Sequence, residues 1–166
     1  MQEIFARFSA RTFKDASVEA AKVERLLRAA MQAPSAGNQQ PWEFLVIADK
    51  TSREKVAELC PHSKPLINAP LGIMTLLNTQ NGKWPECYQQ DLSAASQNIL
   101  LEAVHLGLAG VWLAIMPFED RMRAVKEYFK LPPHIEPFAT MAIGYAADPK
   151  TPAPRYDQAK VHYEKY

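Results

Sequence analysis

The chain has 166 residues, 19 Lys plus Arg against 18 Asp plus Glu, and a formal charge of +1. This length fits a single domain that buries roughly 70% of its unfolded surface, so folding requires neither disulfides nor a structural metal. The near-neutral balance excludes a nucleic-acid binder that works by bulk charge, and 6 Gly against 13 Pro argues against Gly-rich phosphate loops.

At the N-terminus, Arg7, Ser9 and Arg11 occupy alternate positions. In an extended segment their side chains face one way. Two guanidinium forks and a hydroxyl then form a clamp for an oxyanion or phosphate, the plainer alternative being two solvated arginines. A helix is expected from Ser17, whose hydroxyl suits an N-cap. Val23, Leu26, Leu27 and Ala30 make its buried face, and Pro34 ends it. Between Pro34 and Pro41 lies a polar turn holding Ser35, Asn38, Gln39 and Gln40. Its amides can read a heteroaromatic edge of alternating N–H and C=O groups, or satisfy the turn's own backbone. Phe44–Ile47 reads as a short buried strand, and Thr51–Cys60 as a helix with Val56 and Leu59 inward.

Leu71–Leu77, introduced by Pro70, reads as a second strand. Asn78–Pro85 is a loop turning at Asn81-Gly82, and Trp84 and Tyr88 near it either stack on an aromatic acceptor or pack in the protein. Asp91–Leu106 is the strongest helix: Leu92, Ala95, Ile99, Ala103 and Leu106 repeat at helical spacing, and Gly107 fits the stop. Leu100, Leu101 and Val104 make it apolar on more than one face, so it is central or faces a partner subunit. Val111–Met116 and Phe138–Tyr145 read as strands around a helix at Glu119–Phe129. Residues 146–166 are proline-punctuated and poor in apolar side chains until Tyr156, Tyr163 and Tyr166. Such a tail cannot build its own core; it stays loose or docks on another surface, and the aromatic ending favours docking. Without strict βαβ alternation, the elements give an α+β fold around a sheet of four or five strands.

Most familiar chemistries find no support. There is no G-x-G-x-x-G in the right context, no P-loop and no G-x-S-x-G. His62, His105, His134 and His162 never sit at metal-ligand spacing, and Cys60 and Cys87 form no CxxC. Two ordinary thiols in a reducing compartment are the expectation. Asp91 and Glu102 lie about three helical turns apart, ~16 Å, too far for a carboxylate pair. No apolar run nears the ~18 residues of a membrane span, and the N-terminus lacks a signal peptide's apolar segment. A cytoplasmic protein with no membrane or nucleic-acid partner is therefore expected.

Five further motifs accompany R-x-S-x-R at 7–11: P-S-A-x-N-x-Q-P-W at 34–42, D-x-x-A-A-x-x-N-I-L-L-x-A-x-x-L-G-L at 91–108, G-V-W-L at 110–113, I-G-Y at 143–145 and V-H-Y-E-K-Y at 161–166. In this order they resemble the nitroreductase family of FMN-dependent oxidoreductases, in one of its short forms. The resemblance implies a central, mostly antiparallel sheet flanked by helices, in an intertwined homodimer. Residues 1–166 would form one FMN-binding domain, with 146–166 as an arm docking on the partner subunit. It implies that Arg7 and Ser9 grip the FMN phosphate, with Arg11 there or at the flavin N1–O2 edge. Pro34, Ser35, Asn38 and Gln40 would lie against the flavin from the second subunit. Trp112, Leu113, Ala114 and Ile115 would lie beneath the ring, a backbone N–H near N5, and Arg155 would add a phosphate contact.

Two departures stand out. Ala153 replaces a basic residue of some members, and Ala114 a Gly or Glu. His62 and Lys64 fall where some members have a further flavin contact. The implied activity is ping-pong hydride transfer from NADH or NADPH through FMN to a nitroaromatic, quinone or similar acceptor. The flavin carries the chemistry, so no catalytic side chain and no metal are expected. The competing readings are an FMN-binding relative with other redox chemistry (flavin fragmentation, dehalogenation or dehydrogenation) and a non-enzymatic flavin-binding dimer.

Overall fold

A computed structural model describes residues 2–166. The elements run α1 (Glu3–Ala6), α2 (Ala20–Met31), β1 (Trp42–Ile47), α3 (Lys50–Leu59), α4 (Pro65–Asn68), β2 (Leu71–Asn78), α5 (Tyr88–His105), β3 (Ala109–Ala114), α6 (Glu119–Phe129) and β4 (Ile135–Gly144). The four strands form one antiparallel sheet in the order β1-β2-β4-β3. This is the expected α+β class, with four strands.

The apolar run of β2 is explained by its place in the middle of the sheet: all eight of its residues are buried. Its alternation divides the core in two. Leu71, Ile73 and Leu77 face α2 and α5, together with Leu26, Ala30, Leu92 and Ile99. Met74 and Leu76 face α3, α4 and α6, together with Val56, Leu66 and Val125. The sheet is thus the middle of three layers. Helix α5 touches α1, α2 and all four strands, which accounts for its apolar character on several faces. Gly107 ends it with φ +72, the left-handed conformation glycine adopts freely, while Leu108 N–H bonds back to the Ala103 carbonyl at 2.8 Å.

Two expectations need correction, and a third that was open is decided. Helix α2 starts at Ala20, not Ser17: Glu19 is the extended residue before it, and its carboxylate accepts from the Tyr145 hydroxyl at 2.9 Å instead of capping the helix. The loop after β2 turns at Thr79 and Gln80 rather than Asn81-Gly82. There the Asn78 side-chain oxygen accepts from Gln80 N–H at 2.9 Å, and its carbonyl from Asn81 N–H at 3.3 Å. Tyr88 is core, packed with α5 and β2. The one-turn helices α1 and α4 carry no periodic signal in the sequence, being only 4 residues each.

Beyond the bridge between Phe13 and Ala146, the tail leaves the body. From Ala147 onward every residue except Pro152 is exposed, and Tyr156 and Tyr163 are each 80% exposed. Cys60 is buried, Cys87 is half-buried, and both are free thiols.

Candidate functional site

The segment after α1 is extended, as the alternating Arg7, Ser9 and Arg11 require. Arg7 has φ −61 and ψ 127. Ser9 pairs in parallel with Gly110 at the start of β3, and Ala10 N–H donates to the Gly110 carbonyl at 3.2 Å. The N-terminal segment therefore covers only the first residues of β3, leaving the rest of that edge strand free.

The direction of the backbone groups along this edge follows from the ladder. Ile115 N–H donates to the Phe138 carbonyl of β4 at 3.1 Å, so Ile115 faces the sheet. Alternation then points Val111 and Leu113 inward and Gly110, Trp112 and Ala114 outward. The Gly110 carbonyl meeting Ala10 and the Ala114 carbonyl accepting from Arg121 Nη1 at 3.2 Å both agree. Of the four residues expected beneath a flavin, Trp112 and Ala114 offer backbone N–H groups at the free edge. Ile115 does not: it is 1% exposed, and its carbonyl is also taken, by Phe118 N–H at 3.1 Å.

Along this edge runs a cleft of about 700 Å³, in the size range of ligand sites. Trp112, Leu113 and Ala114 form one wall, and residues 61–68 the other, with Arg11 and Arg121 also bordering it. The 61–68 wall is held by Arg53, a residue that composition and spacing do not single out. Arg53 is buried on α3, and its Nη1 donates to the carbonyls of Leu66, at 3.1 Å, and Ala69. His62 in this wall has a left-handed backbone, φ 70.

The cleft's lining includes Arg11, Lys64, Arg121 and His62 and no carboxylate. A second groove of similar size, about 760 Å³ between α6 and β4, is lined by Glu119, Glu127 and Glu136 among its cations. Only the first suits a dianion. Arg11 is exposed, and its Nη1 makes a single long bond, 3.4 Å, to the Ser9 carbonyl. Its charge is not consumed by the fold. Burial pushes the Cys60 thiol up to about 11, with Arg121 opposing and Asp120 reinforcing the shift. It is a neutral thiol in the core, without a nucleophile's character. Among the described residues no group of three His, Cys, Asp or Glu is arranged to hold a metal, and no helix is long and apolar enough to cross a membrane.

The polar turn is built differently. Gly37, Asn38 and Gln40 all have positive φ, at 54, 55 and 48, a backbone that L side chains adopt only when held. What holds them is local. Ser35 Oγ accepts from Gln40 N–H at 3.0 Å, and Gln40 Nε2 donates to Asn38 Oδ1 at 3.2 Å. Buried Asp91 on α5 accepts from Ala36 N–H at 2.9 Å and from Gln39 Nε2 at 2.6 Å. Gln39 in turn accepts from the N–H groups of Lys83 and Trp84 at 3.0 and 2.9 Å. Asp91 and Gln39 are thus positioning residues, a role that their places in the helix motif and the polar turn do not assign. Their signal in the sequence is weak, a lone acid opening an apolar helix.

Within one chain, then, Arg11, Trp112, Leu113 and Ala114 share the cleft; Arg7 and Ser9 do not line it, although Ser9 bridges to Gly110, the residue before the lining residue Val111. Pro34, Ser35, Asn38 and Gln40 do not line it. Their turn enters β1, whose Trp42 pairs with Leu77, and Leu77 with Glu136, at the end of the sheet where Ala114 pairs with Ala139. Turn and cleft therefore lie at the same end of the sheet but beside opposite edge strands, about 14 Å apart across three strand spacings. Arg155 is on the exposed tail.

Known proteins share this architecture. The family model described as the nitroreductase family matches residues 4–84 and 65–145. A provisionally named NADH dehydrogenase/NAD(P)H nitroreductase of Archaeoglobus fulgidus is 36% identical over 170 residues, covering 100% of this chain and 98% of that protein. The crystal structure of a provisionally named NADH oxidase from Clostridium acetobutylicum superposes with a TM-score of 0.96 at 44% identity, covering 99% of both chains. A provisionally named nitroreductase of Desulfovibrio desulfuricans, solved in complex with FMN, does so with a TM-score of 0.87 at 28% identity, covering 99% of this chain and 96% of its own. Since the matched residues span all four strands and both helical layers, the chain belongs to the nitroreductase family.

Proposed function

We propose that this protein is an FMN-dependent oxidoreductase that takes hydride from NADH or NADPH and delivers it to a nitroaromatic, quinone or similar acceptor by a ping-pong cycle. The observation that carries this reading is the acid-free, cation-lined cleft on the free edge of β3. It suits a ligand with a doubly charged phosphate and a flat polar ring. The FMN-bound relative supports the choice of ligand.

When bound, FMN supplies the reversible hydride chemistry; the chain's own residues bind and orient. Arg7 and Ser9 hold the phosphate, and guanidinium is suited to grip it bidentately. Arg11, inside the cleft, either adds to that grip or faces the N1–O2 edge, where its fixed charge would stabilise the reduced ring. Ala114, whose N–H points off the sheet edge, is assigned to the N5 position. Leu113 and Trp112 supply the floor. Ile115 is left out of the contact set, because its side chain and both backbone groups serve the core. No side chain need act as nucleophile or general base.

The reading places the turn Pro34–Gln40 of one copy against the flavin of the other. The separation of turn and cleft within one chain supports this. The tail of 147–166, exposed except at Pro152, supports an arm that docks on the partner, bringing Arg155 to the phosphate. The test is anaerobic mixing of the flavin-loaded protein with NADH and with NADPH. Bleaching of the visible flavin band by at least one donor, and recovery on adding an acceptor, is expected. Bound FMN that neither donor reduces would contradict the reductase assignment.

A further inference from the structure

Arg121 stands in the cleft with no role in gripping FMN as just described. It lies in the first turn of α6, and its guanidinium carbon sits 3.8 Å from the centroid of the Phe118 ring. One N–H, at Nη1, donates to the Ala114 carbonyl at 3.2 Å. The ring and the carbonyl together fix the orientation of the group. A guanidinium has five donors; among the described residues, the remaining four have no hydrogen-bond acceptor and no carboxylate forms an ion pair with them. The neighbouring acids Glu119 and Asp120 do not line the cleft. Stacking on an aromatic face leaves the in-plane fork available to a carboxylate or sulfonate.

Resting on the flavin reading above, we propose that Arg121 binds the anionic group of the molecule reacting with the flavin, so that the cleft favours aromatic acceptors bearing a carboxylate or sulfonate. Arg121 belongs to α6, whereas the phosphate grip belongs to the N-terminal segment. Ser9 bridges to Gly110 near the start of β3, whereas Arg121 bonds the Ala114 carbonyl at its end, so the two groups border different ends of that strand. Arg121 is tied to the carbonyl of Ala114, the residue assigned to N5, and so borders the place where an acceptor must approach. Lys64 in the opposite wall adds to the positive field, and no carboxylate lines the cleft to cancel it.

The experiment titrates flavin-loaded protein with benzoate and with benzamide, a neutral ligand of nearly the same shape, following the shift of the flavin's visible band. The expected result is benzoate binding at least about tenfold more tightly, a difference worth one charge-assisted hydrogen bond. Arg121→Gln, titrated as its flavin-loaded fraction, is expected to bring the two affinities together. Arg121→Lys keeps part of the preference, since it keeps the charge and loses the fork. Added salt narrows the parent's preference by screening. If the Gln variant does not fold, the Lys variant and the salt series decide the matter. Equal affinities in the parent, or a preference untouched by both substitutions, would overturn the assignment while leaving the flavin reading intact. A protein that takes up no FMN would bring down both.

Discussion

The cleft and the turn, both expected to meet the same ring, are built on opposite plans. In the turn, the side chains that hold the fold are engaged: Ser35, Gln39 and Asp91 hold a backbone with three left-handed residues. In the cleft, Arg11 has one long bond and Arg121 one ordinary one, so most of their donors are free of the fold. The difference teaches which part is scaffold and which is receptor. Substitutions at Gln39 and Asp91, which hold the turn, should register first as stability, and substitutions in the cleft as ligand affinity.

The largest effect expected from this contrast is on the receptor side. Arg7→Ala combined with Arg11→Ala removes charge-assisted bonds worth roughly 1.5–3 kcal/mol each. FMN affinity should fall by at least about a hundredfold, with little change in the melting temperature of the flavin-free protein. Flavin content after gel filtration and a thermal melt check the two halves. Full FMN occupancy in the double variant would remove the clamp.

Next in size is the scaffold. Asp91→Ala leaves Ala36 N–H and the Gln39 amide without their buried acceptor, at about 2–4 kcal/mol in all. Denaturant unfolding should show the loss directly, and Asp91→Asn, which keeps one acceptor, should recover part of it. If Asp91→Ala were as stable as the parent, the turn would not depend on α5.

The smallest effect concerns Cys60 and pH. Burial raises the thiol from its ordinary 9.0 to about 11 in the folded chain. The raised value means the folded state favours the protonated form. The stabilisation is complete below pH 9 and is lost as pH rises through about 11. At neutral pH a thiol reagent should label half-buried Cys87 readily and Cys60 only on unfolding. Equal labelling of both in the native protein would contradict the burial of Cys60.

How far the sequence exposed this design differs between the two regions. Long apolar runs and helical repeats announce β2, β4 and α5, because burial on one or several faces leaves a period in the chain. Four-residue α1 and α4 leave none, and α4 is held by Arg53 from the preceding helix, a contact no periodic pattern contains. The same holds at the site. Arg11 and the 112–114 edge are legible as motifs, and they do share a cleft. Ile115, two residues beyond the G-V-W-L motif, is 1% exposed and has both backbone groups bonded within the chain. Asp91, Gln39 and Arg121 act through contacts made only when α5, the turn and α6 are brought together.

The account rests on a phosphorylated flavin held jointly by two copies of the chain. Sedimentation velocity of the protein mixed with FMN, recorded at the flavin's visible band, tests this most directly. The account predicts flavin absorbance travelling with a dimer at one FMN per chain. Monomeric protein sedimenting without colour, with all FMN left behind, would contradict it.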